Sequence, residues 1–253
     1  MFSNYDFDEG KVLVTPHGPD PVLLGLRGEN PLVLVKAFKE IEIHEPILGW
    51  TIYRTNQATD AHLVRRDIIR LRPYQTGYIE GEVSSRPKPV RGGHVKVLIS
   101  DGKASIEAYF YEPSKTLRKI ALKLLPGDKV RVAGSVRPPS SSHPNITLNV
   151  EKLEIISLIE YLEKNPKCPR CGKTMKSAGR GKGFKCPRCG YRSFSLTKIR
   201  VPLTRDLSAG VYTPPLASMH HLSKPKTRYG RENNGKIPVM ISQWYFSNEL
   251  TGE

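Results

Sequence analysis

The sequence predicts a mainly β protein with some α: a small five-stranded barrel, a cysteine-built ribbon and an extended basic arm, in that order. Three observations carry this. Between residues 74 and 157, five runs alternate apolar and polar side chains, with one helical stretch between the third and fourth. Two copies of Cys-Pro-Arg-Cys-Gly follow, at 168–172 and 186–190. After them, residues 200–231 are rich in Pro, Arg, Lys and His and show no period.

Residues 1 to about 70 do not read as a self-contained domain. Short apolar pieces at 12–14 and 22–24 are separated by Thr-Pro-His-Gly-Pro-Asp-Pro, which is turn chemistry. Asn30 is predicted to cap a helix through 33–39, with Pro31 in its first position. Pro46 ends whatever precedes it. Residues 49–63 begin with strand-like alternation and then concentrate hydrogen-bonding side chains: Arg54, Thr55, Asn56, Gln57, Thr59, Asp60 and His62. Composition leaves two readings of that run open, a solvated strand-to-loop transition and a loop facing a ligand or RNA.

The barrel reads more clearly. A strand at 74–83 leads into a Pro/Arg/Gly loop, 84–93, that carries Arg86, Lys88 and Arg91. Strands at 94–100 and 104–111 join through Asp101-Gly102, a strong hairpin signal. Pro113-Ser114 opens a helix at 117–125, and Pro126-Gly127-Asp128 turns the chain into a strand at 129–136. The fifth strand is 146–156. Three strands, a helix, then two strands is the order of an OB-fold β-barrel. Such barrels bind single-stranded nucleic acid on the sheet face and adjoining loops; a small-molecule or protein ligand is the alternative. Consecutive Tyr109, Phe110 and Tyr111 place at least one ring inward and at least one outward.

Cys168, Cys171, Cys186 and Cys189 are the only cysteines. Two Cys-x-x-Cys knuckles at this separation close a tetrahedral thiolate site around one structural Zn2+, with no open position for catalysis. A disulfide framework is disfavoured, because 253 residues need no staples and nothing at the N-terminus reads as a secretory signal. Between 170 and 192 there are eight Lys or Arg and no Asp or Glu. Lys173, Lys176, Arg180, Lys182 and Lys185 therefore read as phosphate contacts, with Phe184 and Tyr191 as stacking groups among them. A merely solubilising surface is the competing reading. The net charge of +16 and pI near 9.7 also favour a polyanionic partner. No apolar run reaches membrane-spanning length, and a cytoplasmic protein with reduced thiols is expected. His220 and His221 read as surface or RNA-facing groups rather than a second metal site. Residues 237–246, with Trp244, Tyr245 and Phe246, are expected to dock on something apolar, and 247–253 to fray.

Several stretches together resemble the archaeal agmatinylcytidine synthetases, which modify the wobble cytidine of an isoleucine tRNA. They are Gly-Pro-Asp-Pro-Val-Leu-Leu-Gly-Leu-Arg-Gly at 18–28, the run 50–63 with Arg-Thr-Asn-Gln-Ala-Thr-Asp-Ala-His-Leu, the OB-fold, the two knuckles, and 212–225. The resemblance implies a ligase that joins agmatine to the cytidine base using ATP, with OB-fold and zinc ribbon holding the tRNA. It implies that 1–70 is the C-terminal part of a ferredoxin-like α+β domain, 71–158 the OB-fold, 159–200 the ribbon, and 201–253 a basic region packing on the others. It also implies substrate-binding roles for Arg54, Asn56, Gln57, Thr59, Asp60 and His62, Asp60 being the natural partner of a guanidinium or amine. The family's enzymes are longer, with an N-terminal ATP-hydrolysing, kinase-like domain. This sequence shows no glycine-rich phosphate loop or kinase signature. The expectation is a chain that binds tRNA and does not turn over by itself, ATP and Mg2+ entering only through that N-terminal domain or subunit. Two other classes stay open: a free-standing OB-fold and ribbon protein for single-stranded nucleic acid, and an independent enzyme using the run 54–62.

Overall fold

Residues 5–6, 10–12, 24–141, 143–232, 242 and 244–247 are described by the computed structural model. Strands β1 (Tyr5–Asp6) and β2 (Lys11–Val12) pair antiparallel. Most of the stretch 18–28, and the apolar pieces at 13–14 and 22–23, lie outside the described residues. Helix α1 (Pro31–Lys39) starts as the sequence predicts: the Asn30 side chain accepts from the Leu32 N–H at 2.9 Å, and Pro31 occupies the first turn, where an N–H is not needed. It stops at Lys39, well before Pro46, and none of its residues is buried; Leu32 and Val33 are 52% and 61% exposed. Strand β3 (Gly49–Thr51) follows.

The next strands are β4 (Thr76–Val83), β5 (Lys88–Val90), β6 (His94–Ser100) and β7 (Ser105–Phe110). Helix α2 (Thr116–Leu122) precedes β8 (Lys129–Arg137) and β9 (Thr147–Ser157). The sheet closes as β4–β6–β7–β9–β8–β4, antiparallel at every junction except β7–β9, so the predicted OB-fold order is observed. Alternation drives the closure: Val95, Val97 and Ile99 point inward from β6 and meet Ile79, Phe110, Leu117, Val132 and Leu153 in one core. Strand β5 falls where the sequence predicts only loop; the chain doubles back through Gly92 and Gly93 and lays it along β6.

Three details place the site. Strand β8 shifts register between Ala133 and Gly134, where a Cβ on residue 134 would lie 1.9 Å from the Asn149 carbonyl oxygen. Tyr74, expected to open the first strand, instead stands in a turn at φ 68°, its N–H donating to the Val136 carbonyl at 2.8 Å. Asp128, fully buried, accepts from the Leu125 and Ile159 N–H groups and from both Arg205 terminal nitrogens at 2.8–2.9 Å. Burial pushes its carboxyl up, but the Arg205 pair and the two amides outweigh burial and hold it below the usual range.

Of the consecutive aromatics, Phe110 fills the core. Tyr109 lies on the outer side yet is 4% exposed, under His143 and stacked with Tyr111 at 6.1 Å. Strand β10 (Tyr161–Lys164) leaves the barrel for the ribbon strands β11 (Lys176–Ser177), β12 (Phe184–Lys185) and β13 (Arg192–Ser193), and β14 (Ile199–Pro202) returns beside β10. Strand β15 (Gly210–Tyr212) joins the barrel edge at β9, and β16 (Tyr245–Ser247) pairs with β3. The C-terminal aromatics thus attach through backbone pairing rather than by apolar docking: Trp244 and Tyr245 stay 53% and 46% exposed. Among the described residues no helix is long and apolar enough to cross a membrane.

Candidate metal centre and nucleic-acid interface

Each knuckle is a tight turn that gathers its sulfurs. Gly172 N–H donates to the Cys168 carbonyl at 2.9 Å, and Gly190 N–H to the Cys186 carbonyl at 3.1 Å. All four Sγ atoms lie within 4.8 Å of one another, Cys168–Cys189 at 3.5 Å and Cys171–Cys186 at 3.4 Å. Tetrahedral zinc with Zn–S near 2.3 Å sets sulfurs about 3.8 Å apart, so the four fit that ion. Disulfides, with S–S near 2.05 Å, do not fit these separations. The crowded thiols shift one another: the Cys189 N–H leads the effects that lower Cys186 to about 6, while at Cys189 the opposing pull of the Tyr191 N–H is outweighed by burial and the neighbouring sulfurs, which push it up to about 11. These residues make a structural zinc site.

The ribbon has its own small core, Met175 and Phe184 packed against Cys168 and Cys186. Phe184 is 9% exposed, which corrects its expected role as a base-stacking group. The cause is register: Ser177, Phe184 and Ser193 form one cross-strand row, and the Phe184 ring closes the core from it. Gly183 makes that approach possible, since a Cβ there would sit 2.2 Å from the Ser193 carbonyl oxygen. The neighbouring row is Lys176, Lys185 and Arg192, all exposed and directly opposed across the three strands. Like charges so placed repel, and no acidic residue occurs between 170 and 192 to relieve them. Phe194, 76% exposed, continues the Arg192 face two residues on. Lys173, Arg180 and Lys182 are exposed, while Tyr191 is half-buried beneath the Arg170 guanidinium at 5.0 Å. Arg86 and Arg91 are exposed on either side of β5, and Lys88 is exposed on it. The sequence reading missed Arg192 and Phe194, whose outward face is set by the pairing of Arg192 with Lys185.

The polar run 54–62 divides in two. Arg54, Thr55 and Asn56 are exposed. The rest is bound to the barrel and to the segment beyond the ribbon. The Ala58 and Asp60 N–H groups donate to the His221 and Leu222 carbonyls at 2.8 and 2.9 Å, with both residues left-handed at φ 56° and 62°. The Asp60 carboxylate is taken by Lys152 Nζ and by the Lys224 N–H at 2.7 Å. His62 Nε2 and His220 Nδ1 lie 2.9 and 2.6 Å from the two oxygens of Glu151. Arg228 donates to the Gln57 and Ala58 carbonyls, and Thr59 Oγ1 donates to the Asn56 carbonyl at 2.5 Å. The Asp60 carboxylate and His62 Nε2 are therefore taken up in holding the loop on β9 and the arm, while His62 Nδ1 is buried without a partner. Burial lowers the Lys152 ammonium's affinity for its proton, against the opposing pull of Asp60. Between loop, barrel and arm lies a cavity of about 360 Å³ bordered by His62, Thr76, Ser135, Glu151, His220 and Leu222.

Three family models match successive parts of the chain. Residues 1–62 match the TiaS FLD domain, 78–156 an OB-fold nucleic acid binding domain, and 165–207 the TiaS C-terminal zinc ribbon domain. The isoleucine-tRNA 2-agmatinylcytidine synthetase TiaS of Staphylothermus marinus is 50% identical over 233 residues, which are 91% of this chain and 50% of that one. The chain is similar to part of a TiaS enzyme. The TiaS of Archaeoglobus fulgidus is 38% identical over 91% of this chain and 53% of its own. Among solved structures, a complex of TiaS with isoleucine tRNA, AMPCPP and agmatine superposes with TM-score 0.63 at 35% identity, over 90% of this chain and 52% of that one. The chain spans about half the length of the curated TiaS relatives it matches. All four cysteines fall inside the region matched to the TiaS ribbon.

Proposed function

We propose that this chain carries the tRNA-binding part of an ATP-dependent ligase that joins agmatine to the wobble cytidine of an isoleucine tRNA. One observation carries the reading: a zinc-pinned ribbon presents Lys176, Lys185 and Arg192 in a single uncompensated row, beside a barrel of the nucleic-acid-binding class. TiaS structures similar to it were solved with isoleucine tRNA, with ATP and with agmatine, which supports that class of partner. In this reading Lys173, Arg180 and Lys182 extend the ribbon contact, and Arg86, Lys88 and Arg91 add a second one from the barrel. Arg54 and Asn56, on the open side of the polar run, are the residues we assign to substrate. Gln57, Thr59, Asp60 and His62 shape that loop. ATP and its Mg2+ we assign to the part of the family that the matched region does not span, and the setting to the cytoplasm. The divisions 1–70, 71–158, 159–200 and 201–253 serve as its working domains.

The test is titration of the purified chain with an isoleucine tRNA transcript across a salt series. Reversing Lys185 and Arg192 to Glu removes two phosphate contacts, so the slope of log K against log salt falls by about 2, with weaker binding throughout. Binding indifferent to salt in the unmutated chain refutes the reading.

A further inference from the structure

Four described residues other than glycine hold positive φ: Ala58, Asp60, Tyr74 and Lys115. Ala58 is small, and the Asp60 side chain is bonded on both oxygens. Tyr74 is different. At φ 68° a bulky side chain strains the backbone, and glycine or asparagine would relieve it. Yet its ring does no packing that could compensate, since Tyr74 is 79% exposed. The turn itself is closed by other groups. Tyr74 N–H donates to the Val136 carbonyl at 2.8 Å, Val136 N–H to the Gln75 carbonyl at 2.8 Å, and Arg72 N–H to Gln75 Oε1 at 3.0 Å. A strained backbone therefore presents an aromatic ring to solvent at the mouth of the barrel, where β4 begins and β8 ends.

The surroundings say what the ring meets. Arg70 and Arg72 precede it in the chain, and Arg137 follows Val136; all three are exposed. Asp67 lies 3.9 Å from Arg70, and neither Arg72 nor Arg137 is in an ion pair among the described residues. An exposed ring with exposed arginines next to it along the chain and on the paired strand suits a base with phosphates nearby, because stacking takes any base face while the cations follow the backbone. An apolar protein surface would leave those cations without partners.

We propose that Tyr74 is a stacking platform for an unpaired nucleotide of RNA, with Arg72 and Arg137 beside its phosphates. This rests on the RNA-binding reading above and adds a contact far along the sequence from the ribbon. Tyr74→Asn separates the two demands on the residue, since asparagine tolerates left-handed backbone and offers no ring. Its melting temperature will be unchanged or higher by about 2–4 °C. Its affinity for the isoleucine tRNA transcript and for a short single-stranded oligouridylate will fall roughly five- to hundredfold. Tyr74→Phe keeps the ring and will bind as the unmutated chain does. In Tyr74→Asn the salt slope will not change, because the ring neutralises no phosphate. Unchanged affinity in Tyr74→Asn, or a lowered melting temperature that marks the ring as structural, overturns the proposal while leaving ribbon binding intact. An unmutated chain that binds neither RNA overturns both readings.

Discussion

Asp60→Ala will free the polar loop without unfolding the barrel. The Asp60 and Lys152 side chains are 19% and 9% exposed, so removing the carboxylate leaves the ammonium in a largely dry site with only neutral acceptors, the Tyr229 hydroxyl at 3.2 Å and the Lys224 carbonyl at 3.5 Å. Breaking a buried pair by deleting one partner costs about 3–5 kcal/mol, and the partial exposure of Asp60 argues for the lower figure. The Lys224 N–H loses its acceptor as well, about 1 kcal/mol more. The loss falls on the contacts that join the loop to the arm, which are the Ala58 and residue-60 amides bonded to His221 and Leu222. Native-state hydrogen exchange reads those amides directly, and their rates will rise roughly 10²–10³-fold. Core amides of Val97 and Ile99, in β6, will keep their protection. Lys152→Met alone will do similar damage by stranding the carboxylate, and the pair Asp60→Asn with Lys152→Met, which keeps an acceptor for the Lys224 N–H and a residue tolerant of left-handed backbone, will recover most of the protection. Unaltered exchange at Ala58 in Asp60→Ala, or an equal rise throughout the barrel, would show that the pair does not hold the loop.

Two further outcomes follow from the metal site and from Asp128. Zinc measured by elemental analysis will be one per chain, and Cys186→Ser will abolish it and unfold the ribbon, while the barrel's thermal transition stays in place because Met175 and Phe184 form a core separate from the barrel's. Asp128 is held below its ordinary carboxyl range, so the stability it contributes is complete above its unfolded value, near 3.9, and drains as pH falls towards the folded value. Asp128→Asn will therefore be less stable at neutral pH and lose less on acidification below about pH 4, as followed by denaturant melts at stepped pH. Parallel acid profiles for both proteins would remove Asp128 from the account.

What could be read from the sequence was whatever is encoded within a few residues. Asn30-Pro31 announces a helix start, Asp101-Gly102 a hairpin, and the matched knuckles a thiolate site, because cap, turn and ligand geometry are set locally. Phe184 went astray because strands of two residues give no alternation long enough to tell inner from outer face; only pairing with Ser193 decides it. The density of polar groups in 54–62 was plain, but not their partners, which lie on β9 and in the arm. Nothing local could join Asp128 to Arg205, 77 residues on. Tyr74 read as a strand opening because its pattern is strand-like; the left-handed turn is closed by Val136 on the neighbouring strand β8.

The clasp on β9 also sets an order of events at the ribosome. Lys152 follows Asp60 by 92 residues and Lys224 by 164. At about 5–20 residues per second, residue 60 is made roughly 5–20 s before its first partner and 8–30 s before its second. During that interval the left-handed turns at Ala58 and Asp60 have only bonds within the loop, such as Thr59 Oγ1 to the Asn56 carbonyl, and none of those to β9 and the arm. The barrel has to close before β9 can receive them, and the ribbon is synthesised before the arm arrives to complete the clasp. The loop that carries Arg54 and Asn56 is made among the earliest parts of this chain and takes its shape among the last.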